Sequence, residues 1–291
     1  MNHAQYNWEI EQRMLYTTNN SGIVEEVDDY KALVRSDNDK MLGVVGQNYA
    51  PMLNATFADI VNTLEDKTSC TLRTYGEQAD GKKLYAKLTH PSMQDFQMNA
   101  IGDEVASSIV IANGHAGALA FRMYIEYMRL ICLNGLTIPV RKNFVYARHT
   151  KNYMEKIGDL TDNISSVVEA YDNNKKTLKR LDRKFVTGFS PKEWFADFFK
   201  YYKKPRPIKR DGKIIQWTPP DYSTKAINNM NALELCYADS GAVGTYWGML
   251  NAVTYFIDHM QSNKPNGYES LGHGNDVKVR AFQDLSRIAQ A

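Results

Sequence analysis

CTLRTYGEQADGKKLYAKLTH, residues 70–90, and VASSIVIANGHAGALAFRMYIEYMRLICLNGL, residues 105–136, decide the fold class. In the first, two β-prone runs, Thr71 to Tyr75 and Leu84 to Thr89, flank a polar link that holds Asp80-Gly81. That dipeptide suits a tight turn with positive φ, so the stretch reads as a hairpin. In the second, Ala106 to Ala112 and Leu119 to Tyr127 are strand candidates joined by Asn113-Gly114-His115-Ala116-Gly117, again a hairpin-type turn. Residues 70 to about 128 therefore read as an antiparallel meander. Met128 to Leu133 either continues the last strand or starts a helix.

Upstream, LGVVGQNYAPMLNATFADIVNTLED predicts a short strand, Leu42 to Val45, and then a helix from about Asn54. Phe57, Ile60, Val61 and Leu64 fall on one face of that helix. Asn54 and Thr56 are candidate caps. Residues 1–40 are polar and acidic, with Glu25, Glu26, Asp28 and Asp29 clustered, and read as a lead-in to one α+β domain over 41–291. Downstream, the period becomes helical from Lys151. Ile157, Leu160, Ile164, Val167 and Tyr171 are spaced 3, 4, 3, 4, and Leu178 and Leu181 resume the pattern. This predicts one amphipathic helix of about thirty residues packed on the meander. Ser190-Pro191-Lys192-Glu193 fits a capping box that opens a second helix with Trp194, Phe195, Phe198 and Phe199. The proline-rich stretch after it reads as a loop or hairpin turning at Asp211-Gly212. Residues from about 224 to 262 read as helical, and the tail as a Gly-broken loop and a final short helix.

The chain has 291 residues, 43% hydrophobic and 23% charged, which is ordinary globular usage. No apolar run nears the roughly eighteen residues that span a bilayer, so no membrane partner is expected. The N-terminus lacks a secretory pattern. The expected location is the cytoplasm, that of a bacterial host if the chain is phage-encoded. Cys70, Cys132 and Cys236 form no CxxC, and a structural zinc site is not expected. GxxxxGK[ST], GxSxG and HExxH are all absent, which argues against a P-loop ATPase, an α/β-hydrolase and a zinc protease. His259, with His273 and Asp276, is the nearest thing to a metal or acid–base site, and no second ligand stands at i, i+4. No catalytic residue and no cofactor is assigned.

The net charge of +2 hides an asymmetry. Between Arg141 and Lys213 there are 19 Lys/Arg against 9 Asp/Glu, which leaves 16 against 24 elsewhere. A basic middle between acidic ends points to an electrostatic task. Within it, Lys175, Lys179 and Arg183 are spaced by four, and so are Lys176, Arg180 and Lys184. On a helix these form two adjacent rows whose mutual repulsion costs about a few tenths of a kcal/mol per pair. A phosphate backbone would offset it. A second cluster, Lys200, Lys203, Lys204, Arg206, Lys209 and Arg210, is interleaved with Tyr201 and Tyr202 and followed by Trp217. Aromatic faces beside cations suit unstacked bases. Arg141, Lys142, Arg148 and Lys151 make a third patch. The segment 175–213 is therefore the candidate surface for single-stranded DNA or RNA.

Several blocks resemble a phage/plasmid-like domain family of unknown function. They are LGVVGQNYAPMLNATFADIV, YMRLICLNGLTIPV with the ARHT that follows, GTYWGMLNAVTYFIDH and GYESLGHGNDVKVRAF. They stand in that family's order over about residues 40–285, with Asn134, Arg148, His149, Thr150, Asn251, Ala252 and His259 at its characteristic positions. One departure is Leu-Asn134-Gly135-Leu136 after Cys132, where the family tends to have Asn-Thr-Leu. The order of meander, long helix and basic loop is also similar to phage single-strand annealing proteins of the Erf, Redβ and Rad types. That likeness implies a homo-oligomer that binds and anneals DNA without ATP in a basic groove, with no covalent chemistry. The competing expectation is a structural or interaction protein, such as an inhibitor of a host-defence enzyme, that turns its basic surface to an acidic protein.

Overall fold

Alternation along the chain explains the sheet. In the computed structural model, every second residue of β5 (Lys83–Thr89) is buried: Leu84, Ala86 and Leu88 face the core while their neighbours are half-exposed. The structure describes residues 7–99, 102–117, 119–131, 133–139, 146–155, 157, 164–200, 202–203, 207–217, 221–261 and 272–290.

Two sheets form the β part. The first pairs β1 (Ile10–Thr18), β2 (Val24–Arg35) and β3 (Met41–Gly46) antiparallel in that order. The first forty residues thus share a sheet with the segment that follows. α1 (Asn54–Lys67) comes next. It buries Phe57, Ile60, Val61 and Leu64 as its spacing predicts. Neither Asn54 nor Thr56 caps it: the N-cap is Leu53, and Asn54 is buried, its amide donating to the Trp8 carbonyl at 3.0 Å.

The second sheet is the expected meander, all antiparallel. β4 (Thr71–Gln78), β5, β7 (Glu104–Gly114) and β8 (Phe121–Arg129) are neighbours in sequence order, with the short β6 (Phe96–Gln97) on β7. After β8 the chain turns through Leu133, at φ 51°, and returns as β9 (Asn134–Pro139). β9 and β10 (Tyr146–Ala147) both pair with β8. β7 and β8 are buried on both faces. Ile109, Ile111, Met123 and Ile125 join the main core, and Val110, Ala112 and Tyr124 form a second cluster behind it. The two sheets meet closely where a Cβ on Gly43 of β3 would lie 3.1 Å from the Ala116 Cβ in the β7–β8 turn.

α2 (Ile164–Arg183) packs on the meander as expected. The rings of Tyr171 and Tyr127 stack with centroids 6.2 Å apart, and Ile164, Val167, Leu178 and Leu181 are buried. The described helix covers 20 residues, Ile164–Arg183, and 158–163 lie outside the described residues. Lys151–Glu155 forms turns instead, with Tyr153 N–H bonded to the Thr150 carbonyl three residues back, and Leu160 lies outside the described residues. α3 (Pro191–Phe199) begins at the expected capping box: Ser190 Oγ accepts from Glu193 N–H at 3.1 Å, and the Glu193 carboxylate accepts from Ser190 N–H at 3.1 Å.

β11 (Tyr202–Lys203) pairs with β14 (Asp221–Tyr222), and between them β12 (Pro207–Arg210) pairs with β13 (Lys213–Trp217) through the turn at Asp211-Gly212. Both turn residues have positive φ, 51° and 75°, as a type I′ hairpin needs. The C-terminal part is helical, but 224–262 is not one helix. α4 (Thr224–Ala238) and α5 (Tyr246–Tyr255) are separated by a turn in which Gly241 and Gly244 take φ of 70° and 88°. A helix cannot continue through such residues. α5 runs into a π-turn, Phe256–Met260, and α6 (His273–Ile288) ends the described chain. No helix among the described residues is long and apolar enough to cross a membrane.

α6 closes the edge of the large sheet. The Asn275 side chain bonds the backbone of Thr137 on β9 twice, accepting from its N–H at 3.1 Å and donating to its carbonyl at 2.8 Å. The amide thus imitates a neighbouring strand and satisfies an edge that is otherwise a template for pairing. Lys278, 1% exposed, donates to the Gly135 carbonyl at 2.5 Å and pairs with Asp258 of the π-turn at 2.7 Å. Asn275→Ala leaves both Thr137 groups unmatched, so thermal or denaturant unfolding should show a loss of about 1–3 kcal/mol. Asn275→Asp should lose at least as much, because a carboxylate cannot donate to the Thr137 carbonyl.

Candidate nucleic-acid interface

The basic segment divides into three surfaces. On α2 the structure splits both predicted rows. Lys175 is turned inward: its ammonium donates to the Tyr171 hydroxyl at 3.0 Å and lies 5.1 Å from the Phe96 ring centroid. Lys179 sits over the same ring at 5.9 Å. These two cations are half-buried and engage aromatic faces of their own chain. Arg180 is also half-buried. Lys176, Arg183 and Lys184 remain exposed. Asp182, the carboxylate within this run of cations, points the other way. It is buried and accepts from Asn99 N–H at 2.7 Å, and burial raises its carboxyl above the usual carboxylate range. The exposed cations of α2 thus stand without that carboxylate. The usable stripe is narrower than the spacing suggested, because helical spacing fixes an angle but does not tell which angle a neighbouring ring occupies.

The second surface is the ribbon β12–β13. All its described side chains are exposed, including Trp217 at 55% and Ile215 at 60%. Arg210 and Lys213 are direct cross-strand partners, a like-charge pair that destabilises a hairpin. A two-stranded ribbon is marginal in water by itself. This one also carries exposed apolar groups and facing cations. Of the residues expected here, Lys200 is exposed at the left-handed C-cap of α3. Tyr202, Lys203 and Lys209 are placed by backbone alone. Tyr201, Lys204 and Arg206 lie outside the described residues, as do Arg141 and Lys142 of the third patch.

The third surface contains residues that sequence reading missed. Arg148 is exposed, and its Nε donates to the Tyr146 hydroxyl at 3.1 Å. The Arg122 guanidinium lies 5.1 Å from the Tyr146 ring centroid on the other strand. The hydrogen bond from Arg148, more than any other influence, lowers the Tyr146 phenol below its ordinary range. Arg122–Tyr146–Arg148 is a ring held between two cations. Only the β8–β10 pairing, Arg122 opposite Tyr146, brings it together. Lys151 is exposed nearby in sequence.

The other candidate chemistry is not assembled. Asp258 is committed to Lys278 and to Gly135 N–H, the latter at 3.0 Å. Among the described residues no group of three His, Cys, Asp or Glu side chains is placed to hold a metal ion. Cys70 and Cys236 are buried thiols, and Cys132 lies outside the described residues. Gly248 is closely packed, since a Cβ there would lie 2.3 Å from the Ala242 carbonyl.

No curated protein and no solved structure matches the chain. The model of an uncharacterised family, described as Domain of unknown function (DUF932), matches residues 41–282, most of the chain, and the protein belongs to that family.

Proposed function

We propose that the protein binds single-stranded DNA without ATP and, as an oligomer, anneals it. The observation that carries this reading is the exposed ribbon, where Arg210 and Lys213 face each other beside Trp217 and the exposed isoleucines. A phosphate backbone relieves the paired cations, and unstacked bases cover the indole. The outer residues of α2, Lys176, Arg183 and Lys184, and the Arg122–Tyr146–Arg148 group extend the same chemistry of cations with open rings. Lys/Arg contacts to the backbone leave base edges free to pair, which is what annealing requires.

The test is fluorescence anisotropy of a labelled oligonucleotide over a salt series. Affinity should fall with log salt at a slope of about −0.7 per phosphate contact. The triple variant Arg210→Ala/Lys213→Ala/Trp217→Ala should lose about 100-fold, since one stacked base alone contributes roughly 1–3 kcal/mol. Lys175→Met should bind like the natural protein, because its ammonium is already engaged. Wild-type affinity in the ribbon variant would remove the ribbon from the interface. An RNA oligonucleotide in parallel decides between the two nucleic acids, and electron microscopy with and without DNA reads the oligomer. A second reading rests on the same ribbon: Ile208, Ile214 and Ile215 suit an acidic protein partner with an apolar centre. That reading predicts no oligonucleotide binding at any salt.

A further inference from the structure

The chain carries two exposed ribbons of opposite charge. One is the basic ribbon β12–β13. The other is the arm that β1 and β2 form beyond the N-terminal sheet. β3 pairs with β2 only from Tyr30 onward, and before that point β1 and β2 have only each other. No residue from Gln12 to Tyr30 is buried. A two-stranded ribbon is marginal in water unless something packs on it. The arm, like β12–β13, therefore gains from a partner.

The arm is acidic and apolar. Residues 14–30 hold four carboxylates, Glu25, Glu26, Asp28 and Asp29, and no Lys or Arg. All four are exposed. Glu25 accepts from the Asn19 amide at 2.8 Å, and none of the four forms an ion pair among the described residues. Met14, Tyr16, Val24 and Tyr30 are each more than half exposed beside them. The basic ribbon is the same composition with the sign reversed. Arg210 and Lys213 form no ion pair among the described residues, and Ile214, Ile215 and Trp217 are exposed alongside. Apolar patches rimmed by polar groups mark interfaces. The acidic partner with an apolar centre that the ribbon suits is thus present on this same chain.

The strand edges match as well. Val24 to Asp28 of β2 lies beyond the reach of β3, and β13 pairs with β12 alone, so each has an open outer edge. Antiparallel pairing of these edges with Lys213 opposite Asp28 sets Ile214 opposite Val27, Gln216 opposite Glu25 and Trp217 opposite Val24. Arg210, the cross-strand partner of Lys213, lies on the same face as the Lys213–Asp28 pair. Both ribbons remain exposed in the folded chain, so the match is made between molecules. We propose that the acidic arm of one copy docks on the basic ribbon of a second copy. The two surfaces differ, so the contact is heterologous and repeats from copy to copy into a ring or a filament. It covers the ribbon assigned above to DNA, and its role rests on that reading to this extent: it is the resting assembly of the free protein, distinct from copies held along a DNA strand.

Sedimentation velocity of the full chain, freed of nucleic acid by nuclease and a high-salt wash, tests the contact. The natural protein should gain mass with concentration, and less so as salt screens the charges. The arm is reversed by Glu25→Lys, Glu26→Lys, Asp28→Lys and Asp29→Lys together, and the ribbon by Arg210→Glu with Lys213→Glu. Each reversal sets like charges against each other and should weaken association about 100-fold. Every one of these positions is exposed, so the melting temperature should hold. A one-to-one mixture of the two variants should associate again, because each supplies the charge that the other's reversed element needs. A natural protein that stays monomeric at every concentration, a reversed variant that still associates, or a mixture that stays apart would each overturn the proposal. The nucleic-acid reading fails separately, on the anisotropy series, which leaves association of the free protein untouched.

Discussion

Arg129→Ala should cost about 3–5 kcal/mol of stability, the usual result of stripping one partner from a buried ion pair. Asp103 is fully buried and Arg129 is 6% exposed. The guanidinium holds both carboxylate oxygens, Nε to Oδ1 at 2.6 Å and Nη2 to Oδ2 at 3.0 Å, and Nη2 also donates to the Ser240 carbonyl at 2.6 Å. The Trp247 indole donates to the same Asp103 Oδ2 at 2.9 Å. One pair thus fastens β8 and the segment before β7 to the α4–α5 turn and to α5. Alanine leaves a carboxylate in the interior with no counter-charge. Against a total of about 5–15 kcal/mol for a folded domain, that is about a fifth at the least. Urea unfolding reads the change as a shift in midpoint. Arg129→Met combined with Asp103→Leu should recover much of the loss, because replacing both ions by apolar groups is often neutral. A single alanine variant within about 1 kcal/mol of the natural protein would contradict the account.

Acid should destabilise the protein through two histidines. His115 is fully buried with both ring nitrogens unpartnered, its ring edge to face with Trp8, and burial pushes its pKa down to about 3. Nearby His149 and Arg35 push it further in the same direction. His149 is buried against Tyr49 and Tyr153, with Nε2 2.8 Å from Asn113 Oδ1, and burial lowers it to about 4. Both rings are neutral in the native state and titrate near 6.5 when unfolded. Their contribution is therefore complete above pH 6.5 and is lost as pH falls toward about 4 and 3. Each unit below 6.5 costs about 1.4 kcal/mol per histidine, so the pair costs about 4 kcal/mol at pH 5. Asp182 and Asp258, whose carboxyls burial raises, work in the opposite sense as they protonate. Urea midpoints at pH 7.5 and pH 5 measure the net effect, and His115→Leu should flatten the difference. Equal midpoints at the two pH values, unchanged in their difference by His115→Leu, would show that the ring of His115 protonates freely in the native protein.

The parts that local chemistry dictates were readable from the sequence. Asp80-Gly81 and Asp211-Gly212 demand positive φ, and alternation at Leu84, Ala86 and Leu88 fixes a face, so both hairpins and the meander could be placed. Ser190 and Glu193 cap each other three residues apart, so α3 could be placed as well. What was not readable depends on partners far apart in the chain. Lys175 and Arg183 belong to the same four-residue spacing, yet only Lys175 meets Phe96, which comes from another strand. Arg122 and Tyr146 become a unit through strand pairing alone. The break between α4 and α5 falls at Gly241 and Gly244, whose left-handed backbone ends a stretch that reads as helical.

The closure of β9 by α6 has a consequence in time. Asn275 and Thr137, the two sides of that clasp, are 138 residues apart. Translation at about 5–20 residues per second therefore leaves the edge of β9 open for roughly 7–28 s on each ribosome. During that interval the strand is free to pair with a neighbouring nascent chain on the same message. The folded protein's resistance to edge-to-edge association is acquired only when nearly all of the described chain has been made.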